Sequence, residues 1–331
     1  MSTNFKALVL KSEDGKVFPS IDQLTLEALP EGDVVIDVRY SSINYKDAMA
    51  IGNRGIIRKF PAIPGIDFAG TVRTSANPAF KPGDAVVLTG WGVGERHWGG
   101  YSQVARVKSE WLVPLPAGLD LKQSMQIGTA GLTAMLCVQA LEHQGVRPDA
   151  GPVLVTGASG GVGSVAVAVL AKLGYEVWAM TRPDQGDYLA SLGAKKIVGR
   201  NDFAPSKPGR PILEAETFAG VVDTVGGQTL AALIARVAYR GSIASCGLVG
   251  GTDVDTTVYP FILRGVNLLG VDSVRCPTPV RLQAWQRLAQ DLPLAMLDHA
   301  SREIALEQVP EIAAELLEGR GHGRVVVDLQ R

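Results

Sequence analysis

The stretch that decides the fold is Pro152-Val-Leu-Val-Thr-Gly-Ala-Ser-Gly-Gly-Val-Gly-Ser-Val-Ala-Val-Ala-Val-Leu-Ala171. Residues 152–156 form a short apolar run that reads as a fully buried strand, and the small and apolar residues from Val162 onward read as a helix. Between them lie Gly157, Gly160 and Gly161, with Gly163 in the first turn of the helix. Glycines placed between a strand and a helix let the backbone turn tightly and approach a pyrophosphate, whose charge is met by the free N–H groups of the helix start. A glycine cluster alone also fits a tight turn with no ligand. The strand before it, the helix after it and the βαβ unit around it point to a dinucleotide site.

Working outward, strand-like runs at Glu176 to Met180, Lys196 to Val198, Gly220 to Asp223, Ser242 to Cys246 and Asn267 to Val271 alternate with helical patterns near Gln185 to Leu192, Gln228 to Val237 and Tyr259 to Arg264. Such alternation predicts an α/β fold with a parallel sheet covered by helices on both faces. Upstream the pattern differs. Lys6 to Leu10, Val34 to Tyr40, Gly70 to Val72, Ala85 to Leu88 and Tyr101 to Val107 read as strands broken by Gly and Pro, and Leu121 to His143 reads as a helix. Past Ser273, two amphipathic helices near Pro279 to Leu292 and Leu306 to Leu317 precede a closing strand, Gly323 to Leu329. That strand has no neighbour in the αβ series, so it is expected to return to the β-rich N-terminal part.

The end of the second strand of the αβ series chooses the dinucleotide. A site selective for NAD places Asp or Glu there to accept the ribose 2′-OH. Here the chain reads Ala179-Met180-Thr181-Arg182, with no acid before Asp184. Thr181 can donate a hydrogen bond and Arg182 can pair with a 2′-phosphate; a solvated loop arginine is the plainer alternative. NADPH is the expected cofactor.

Composition narrows the classes. The 331 residues suggest about two domains. Lys plus Arg number 32 against 33 Asp plus Glu, so no basic field awaits nucleic acid or anionic lipid. The apolar stretch Val162 to Ala171 falls well short of the ~20 residues of a membrane span. The N-terminal residues lack the apolar core of an export signal. Cys137, Cys246 and Cys276 are scattered and suit neither disulfides nor a zinc set, so a reducing, cytoplasmic setting is expected, with the cysteines structural.

Four further stretches carry a family signal: Ser41-Ser-Ile-Asn-Tyr-Lys-Asp47, Pro64-Gly-Ile-Asp-Phe-Ala-Gly70, Lys81-Pro-Gly-Asp84 and Gly128-Thr-Ala-Gly-Leu-Thr-Ala134. With the glycine turn, and in this order, they resemble the medium-chain dehydrogenase/reductase superfamily over nearly the whole chain. The resemblance implies a GroES-like, β-rich catalytic domain built from residues 1–120 and 272–331, and a Rossmann domain, a doubly wound parallel sheet, over 121–271. Zinc members have Cys and His-Glu where Asn44 and Ile66-Asp67 stand, and His97, His143, His299 and His322 show no ligand spacing, so no metal is expected. The match moves to the zinc-free, quinone-oxidoreductase-like branch. Within it, Asn44 to Ala48, Tyr188 to Ala194, Pro260 to Val266 and Gly270 to Val274 are most similar to the NADPH-dependent acrylyl-CoA reductase group. Carried over, the resemblance implies that Tyr45 contacts the nicotinamide end and that Ser159, Gly160, Gly161 and Val162 hold the diphosphate. It further implies that Met180, Thr181 and Arg182 surround the 2′-phosphate, that Arg200 lies over the adenosine, and that Leu248, Ile262 and Ser273 line the nicotinamide pocket. A homodimer joined by edge strands near Asn267 to Val271 is also implied.

Without a metal, hydride must go to an acceptor that is already electrophilic, and an activated C=C bond fits. Reduction of a short 2-enoyl-CoA thioester, acrylyl-CoA first, is the leading expectation. A quinone or enone reductase and an NADPH-binding protein without turnover are the alternatives. Hydride on the β-carbon leaves an enolate whose oxygen needs donors. Tyr45 and Asn44 are the side chains expected to orient the substrate and stabilise that oxygen, against the plainer readings of a cofactor wall and a turn residue. Arg54, Arg58 and Lys59 are candidates for the coenzyme A phosphates or simply a solvated loop, while Lys46 and Asp47 are expected to fix their loop. The Trp91 to Trp98 stretch reads equally as a substrate-side loop or as plain surface.

Overall fold

The computed structural model describes residues 4–203, 212–320 and 323–331, with backbone alone for 298–300; His322 lies outside the described residues. The chain divides into two compact units, Met1–Thr129 with Val274–Ala289 and Leu297–Arg331, and Ala130–Ser273 with Gln290–Met296. In the first unit β1 (Phe5–Glu13) and β2 (Lys16–Leu24) form an antiparallel hairpin. Then come β3 (Val34–Ser42), α1 (Tyr45–Ile51), β4 (Asp67–Ser75), β5 (Ala85–Thr89), β6 (Val104–Val107) and β7 (Val113–Pro114). A long helix, α2 (Leu121–His143), follows, and the first cut between units falls inside it, beside Gly128.

The second unit holds β8 (Val153–Val155), α3 (Gly161–Lys172), β9 (Val177–Met180), α4 (Gly186–Ser191), β10 (Lys196–Val198), β11 (Phe218–Asp223), α5 (Gly227–Ile234), β12 (Val237–Ser245), α6 (Tyr259–Arg264) and β13 (Asn267–Gly270). All neighbouring strands are parallel, in the order β10-β9-β8-β11-β12-β13. This is the doubly wound Rossmann arrangement, with its switch point between β8 and β11. The apolar run at 153–155 is a central strand, buried throughout.

After α7 (Thr278–Asp291), β14 (Ser301–Ala305) and β15 (Arg324–Asp328) complete the first unit's main sheet, ordered β14-β15-β3-β4-β5-β7, with β6 also paired to β3. The closing strand thus returns as expected: β15 runs antiparallel to β3, Val326 opposite Ser42. Phe68, Ile36, Leu88, Val107 and Val327 pack in this unit's core. One local reading changes. The loop expected around Tyr45, Lys46 and Asp47 is the start of α1, and Asp47 at its third position accepts from the N–H of Asn44 at 2.9 Å, a helix-start signal. Residues 16–24 form β2 despite Pro19, because β2 pairs on one side alone and needs no donor there.

Candidate active site

The first unit holds a buried polar cluster directly behind Tyr45. Asp67, at the start of β4, and Asp47, in α1, are both fully buried carboxylates. Asp67 accepts from Ser42 Oγ at 2.9 Å, Asn44 Nδ2 at 2.8 Å and the Thr129 N–H at 2.8 Å, and also from the Thr129 hydroxyl. Asp47 accepts from the Asn44 N–H and, through its other oxygen, from the N–H groups of Gly65 and Ile66 at 3.2 and 2.9 Å. The cation that balances them is Arg324, first residue of β15 and only 7% exposed. It donates to the carbonyl of Gln126 at 3.0 Å, to Asn44 Oδ1 at 3.2 Å and to Ser42 Oγ at 3.2 Å.

Gly128 makes the cluster possible. Its backbone leaves the helical region inside α2 (φ 53°, ψ −159°), and a Cβ there would stand 2.6 Å from both the Arg324 guanidinium and Asp67 Oδ2. The break also aims the Thr129 N–H at Asp67. Two carboxylates around one guanidinium leave the cluster short of positive charge. Burial, reinforced by the neighbouring Asp67, pushes the Asp47 carboxyl up to about 7, against the hydrogen bonds from Asn44 and Ile66. Burial lowers the Arg324 pKa, while Asp67 and Asp47 oppose that shift.

These contacts separate the roles expected of Asn44 and Tyr45. The Asn44 amide donates to Asp67 and, at 3.3 Å, to Asp47, and its oxygen accepts from Arg324. Its amide hydrogens are thus engaged within the cluster. Tyr45 is the next residue, 45% exposed, and its hydroxyl has no hydrogen-bond partner among the described residues. Lys46 is tied to Glu95 at 3.0 Å, and with Asp47 it fixes the start of α1. Arg54, Arg58 and Lys59 are exposed. Arg324 is the residue that the sequence reading missed. An aspartate within the apolar run Ile66-Asp67-Phe68-Ala69 needs a buried cation, and an arginine opening the apolar run Arg324-Val-Val-Val327 was the available signal.

In the second unit the glycine turn joins β8 to α3. A Cβ on Gly163 would lie 2.4 Å from the Gly157 carbonyl oxygen and 2.7 Å from Ala158 Cα, so the helix seats on the turn only with glycine there. The first N–H groups of α3, at Gly161, Val162 and Gly163, have no acceptor within the helix. Across the turn, Thr181 Oγ1 lies 3.1 Å from Ser159 Oγ, bringing together the end of β9 and the residues expected to hold a diphosphate. Arg182 is exposed beside Asp184, 3.8 Å away. No acid stands at the end of β9, and this turn, hydroxyl pair and arginine fit a dinucleotide with a 2′-phosphate. Met180 differs from expectation: its side chain is in the hydrophobic core, which leaves its backbone alone for any ligand. Arg200 is exposed just beyond β10.

At the carboxyl ends of β8, β11 and β12, Thr156 Oγ1 donates to the buried Asp223 carboxylate at 2.8 Å, Ser245 Oγ donates to it at 3.1 Å, and the Cys246 N–H bonds the Asp223 carbonyl. This network, absent from the sequence reading, anchors the loop that carries Leu248, itself 65% exposed. The neighbouring Cys246 thiol and burial raise the Cys137 pKa well above the usual thiol range, so it stays protonated. Ser273 follows the carboxyl end of β13. Ile262 is 68% exposed and lines a cavity with Tyr239, Arg240 and Asn267.

Among the described residues no group of three His, Cys, Asp or Glu side chains is placed to hold a metal. The helix Leu121–His143 has the length and apolarity of a membrane span, but it is mostly buried and is broken at Gly128.

Comparison with known proteins agrees with this architecture. Residues 30–117 match the alcohol dehydrogenase GroES-like domain, and residues 161–290 match the zinc-binding dehydrogenase domain. The acrylyl-CoA reductase AcuI of Ruegeria pomeroyi is 55% identical over 98% of this chain and 99% of its own. The yhdH oxidoreductase of Salmonella enterica, solved in complex with NADP, is 54% identical with a TM-score of 0.94, over 98% of this chain and 99% of its own. The Bacillus subtilis protein yhfP, solved with NAD bound, is 45% identical with a TM-score of 0.95, over 99% of this chain and 100% of its own.

Proposed function

The chain belongs to the medium-chain dehydrogenase/reductase superfamily, and from that premise we propose that it reduces the C=C bond of a short 2-enoyl-CoA thioester with NADPH, converting acrylyl-CoA to propanoyl-CoA. The 55% identity to the Ruegeria pomeroyi acrylyl-CoA reductase along almost the whole chain carries the substrate class. The cofactor rests on Arg182 and the missing acid at the end of β9.

NADPH, when bound, supplies the hydride that goes to the β-carbon. Ser159, Gly160, Gly161 and Val162 hold its diphosphate, Thr181, Arg182 and the Met180 backbone its 2′-phosphate, and Arg200 its adenosine. Leu248 and Ser273 flank its nicotinamide. Tyr45 serves the reacting end: its hydroxyl donates a hydrogen bond to the thioester oxygen as the enolate forms. The α-carbon then takes a proton from Tyr45 or water, so one hydride and one proton saturate the bond. Asn44, Asp47, Asp67 and Arg324 hold Tyr45 in place, and none of them transfers a proton to substrate.

The protein acts in the cytoplasm as a homodimer on this reading, without nucleic acid or membrane partners. β13 is an edge strand, and Tyr239, Tyr259, Ile262, Leu263 and Leu268 are exposed apolar side chains beside it. NADPH oxidation measured with acrylyl-CoA, crotonyl-CoA, a free enone and a quinone tests the acceptor assignment. The highest kcat/KM is expected with acrylyl-CoA. Preference for the quinone would overturn the assignment, and tight NADPH binding with no acceptor turned over would favour a binding protein.

A further inference from the structure

We infer that a pocket in the first unit, walled by Trp91, Gly92, Glu95, Arg96, Val274 and Arg275, binds a phosphate of the coenzyme A thioester. The pocket has a volume of about 260 Å³, below the roughly 300–1,000 Å³ of sites that enclose a whole drug-sized ligand, so it suits a head group. Two of its six lining residues are arginines, and Arg96 is exposed with no ion-pair partner among the described residues. Its one acid, Glu95, is already engaged by Lys46 at 3.0 Å. Paired guanidinium groups match phosphate oxygens in both charge and geometry.

The walls are braced before any ligand arrives. Arg281, buried in α7, donates to the Thr89 carbonyl at 2.6 Å on one side and to the carbonyls of Val274 and Cys276 at 3.2 and 3.4 Å on the other. Its guanidinium lies 4.9 Å from the Trp91 ring centroid. The Trp91 N–H bonds the Val274 carbonyl at 2.9 Å, and Trp91 sits at φ +58°, a left-handed conformation that a bulky residue adopts only when its surroundings impose it. A pocket preorganised in this way loses little freedom on binding. The Glu95–Lys46 pair joins its wall to the residue after Tyr45, so a substrate whose thioester reaches Tyr45 extends its pantetheine arm toward this pocket.

The inference rests on the proposed acceptor, and its test separates the two. Arg96→Gln, Arg275→Gln and the double variant are assayed with acrylyl-CoA, with acrylyl-pantetheine, which lacks the phosphates, and for the KM of NADPH; binding of free coenzyme A is titrated in parallel. Loss of one charge-assisted contact predicts a rise of roughly tenfold to a hundredfold in the KM for acrylyl-CoA and in the Kd for coenzyme A. The values for acrylyl-pantetheine and NADPH stay at wild-type levels. Unchanged coenzyme A affinity in the double variant overturns the inference. So does an equal rise for acrylyl-pantetheine, a rise confined to NADPH, or an Arg54→Gln/Arg58→Gln/Lys59→Gln variant that alone carries the effect. If the wild type turns over enones but not acrylyl-CoA, the acceptor assignment fails, and the coenzyme A titration still decides the pocket.

Discussion

Replacing Arg324 by Met keeps most of the side-chain volume but removes the buried guanidinium whose charge acts on Asp47 and Asp67. Both carboxylates are fully buried, so neither can recover the lost partner from water. Removing one member of a buried, hydrogen-bonded ion group costs about 3–5 kcal/mol, a large part of the roughly 5–15 kcal/mol that holds a domain folded. The loss also depends on pH. In the wild type Asp47 titrates at about 7, far above an unfolded aspartate, so the stability linked to its proton is complete below about 3.8 and disappears as pH rises through 7. Without the cation, Asp47 holds its proton to still higher pH. Between pH 7 and 8 the folded variant therefore binds more protons than the folded wild type, and its deficit grows with pH by up to about 1.4 kcal/mol per unit. Urea unfolding followed by tryptophan fluorescence reads this directly, because Trp91, Trp98, Trp111 and Trp285 all lie in the first unit. A deficit of about 3 kcal/mol or more at pH 8 that shrinks toward pH 7 is expected. A deficit below about 1 kcal/mol, the scale of an exposed ion pair, or one equal at both pH values, would refute the idea that Arg324 balances the two carboxylates.

Tyr45→Phe removes a hydroxyl that has no hydrogen-bond partner among the described residues, and steady-state kinetics should show kcat lowered by roughly 10²–10³ with the fold unchanged by circular dichroism. Full turnover with unchanged cofactor affinity would remove Tyr45 from the mechanism. Gly163→Ala places a Cβ within 2.4 Å of a backbone oxygen, so α3 must shift off the glycine turn; fluorescence titration is expected to show NADPH affinity down by at least about tenfold, equivalent to 1.4 kcal/mol. Arg182→Glu is expected to raise the KM for NADPH by roughly tenfold to a hundredfold while leaving the KM for NADH equal or lower, since a charge-assisted phosphate contact is replaced by repulsion.

The Rossmann half was legible because its signals are local. A buried strand, a glycine turn and a helix follow one another within residues 152–172, and the alternation after them leaves one economical sheet. The absence of acid at 179–183 is local in the same way. The catalytic half was legible in outline, including the return of the closing strand beside β3, because a lone apolar strand has to find a sheet. What escaped depends on pairing between distant residues. Nothing near Asn44 says that its amide is committed to Asp47 and Asp67, or that Arg324 arrives from 280 residues away. Met180 reads as part of a phosphate site by position, yet the strand's alternation turns its side chain into the core. The helix at 45–51 was hidden by its brevity, since seven residues show too little periodicity to outweigh a turn-like start.

The central claim is that hydride from NADPH reaches the β-carbon of a coenzyme A enoyl thioester. Turnover of acrylyl-CoA with NADPH carrying deuterium at C4 of the nicotinamide, prepared in each of the two stereochemical forms, tests it most directly. One of the two forms should deliver a single deuterium to C3 of propanoyl-CoA, with the hydrogen at C2 coming from solvent. Deuterium at C2, or oxidation of the cofactor with no labelled propanoyl-CoA formed, would contradict the account.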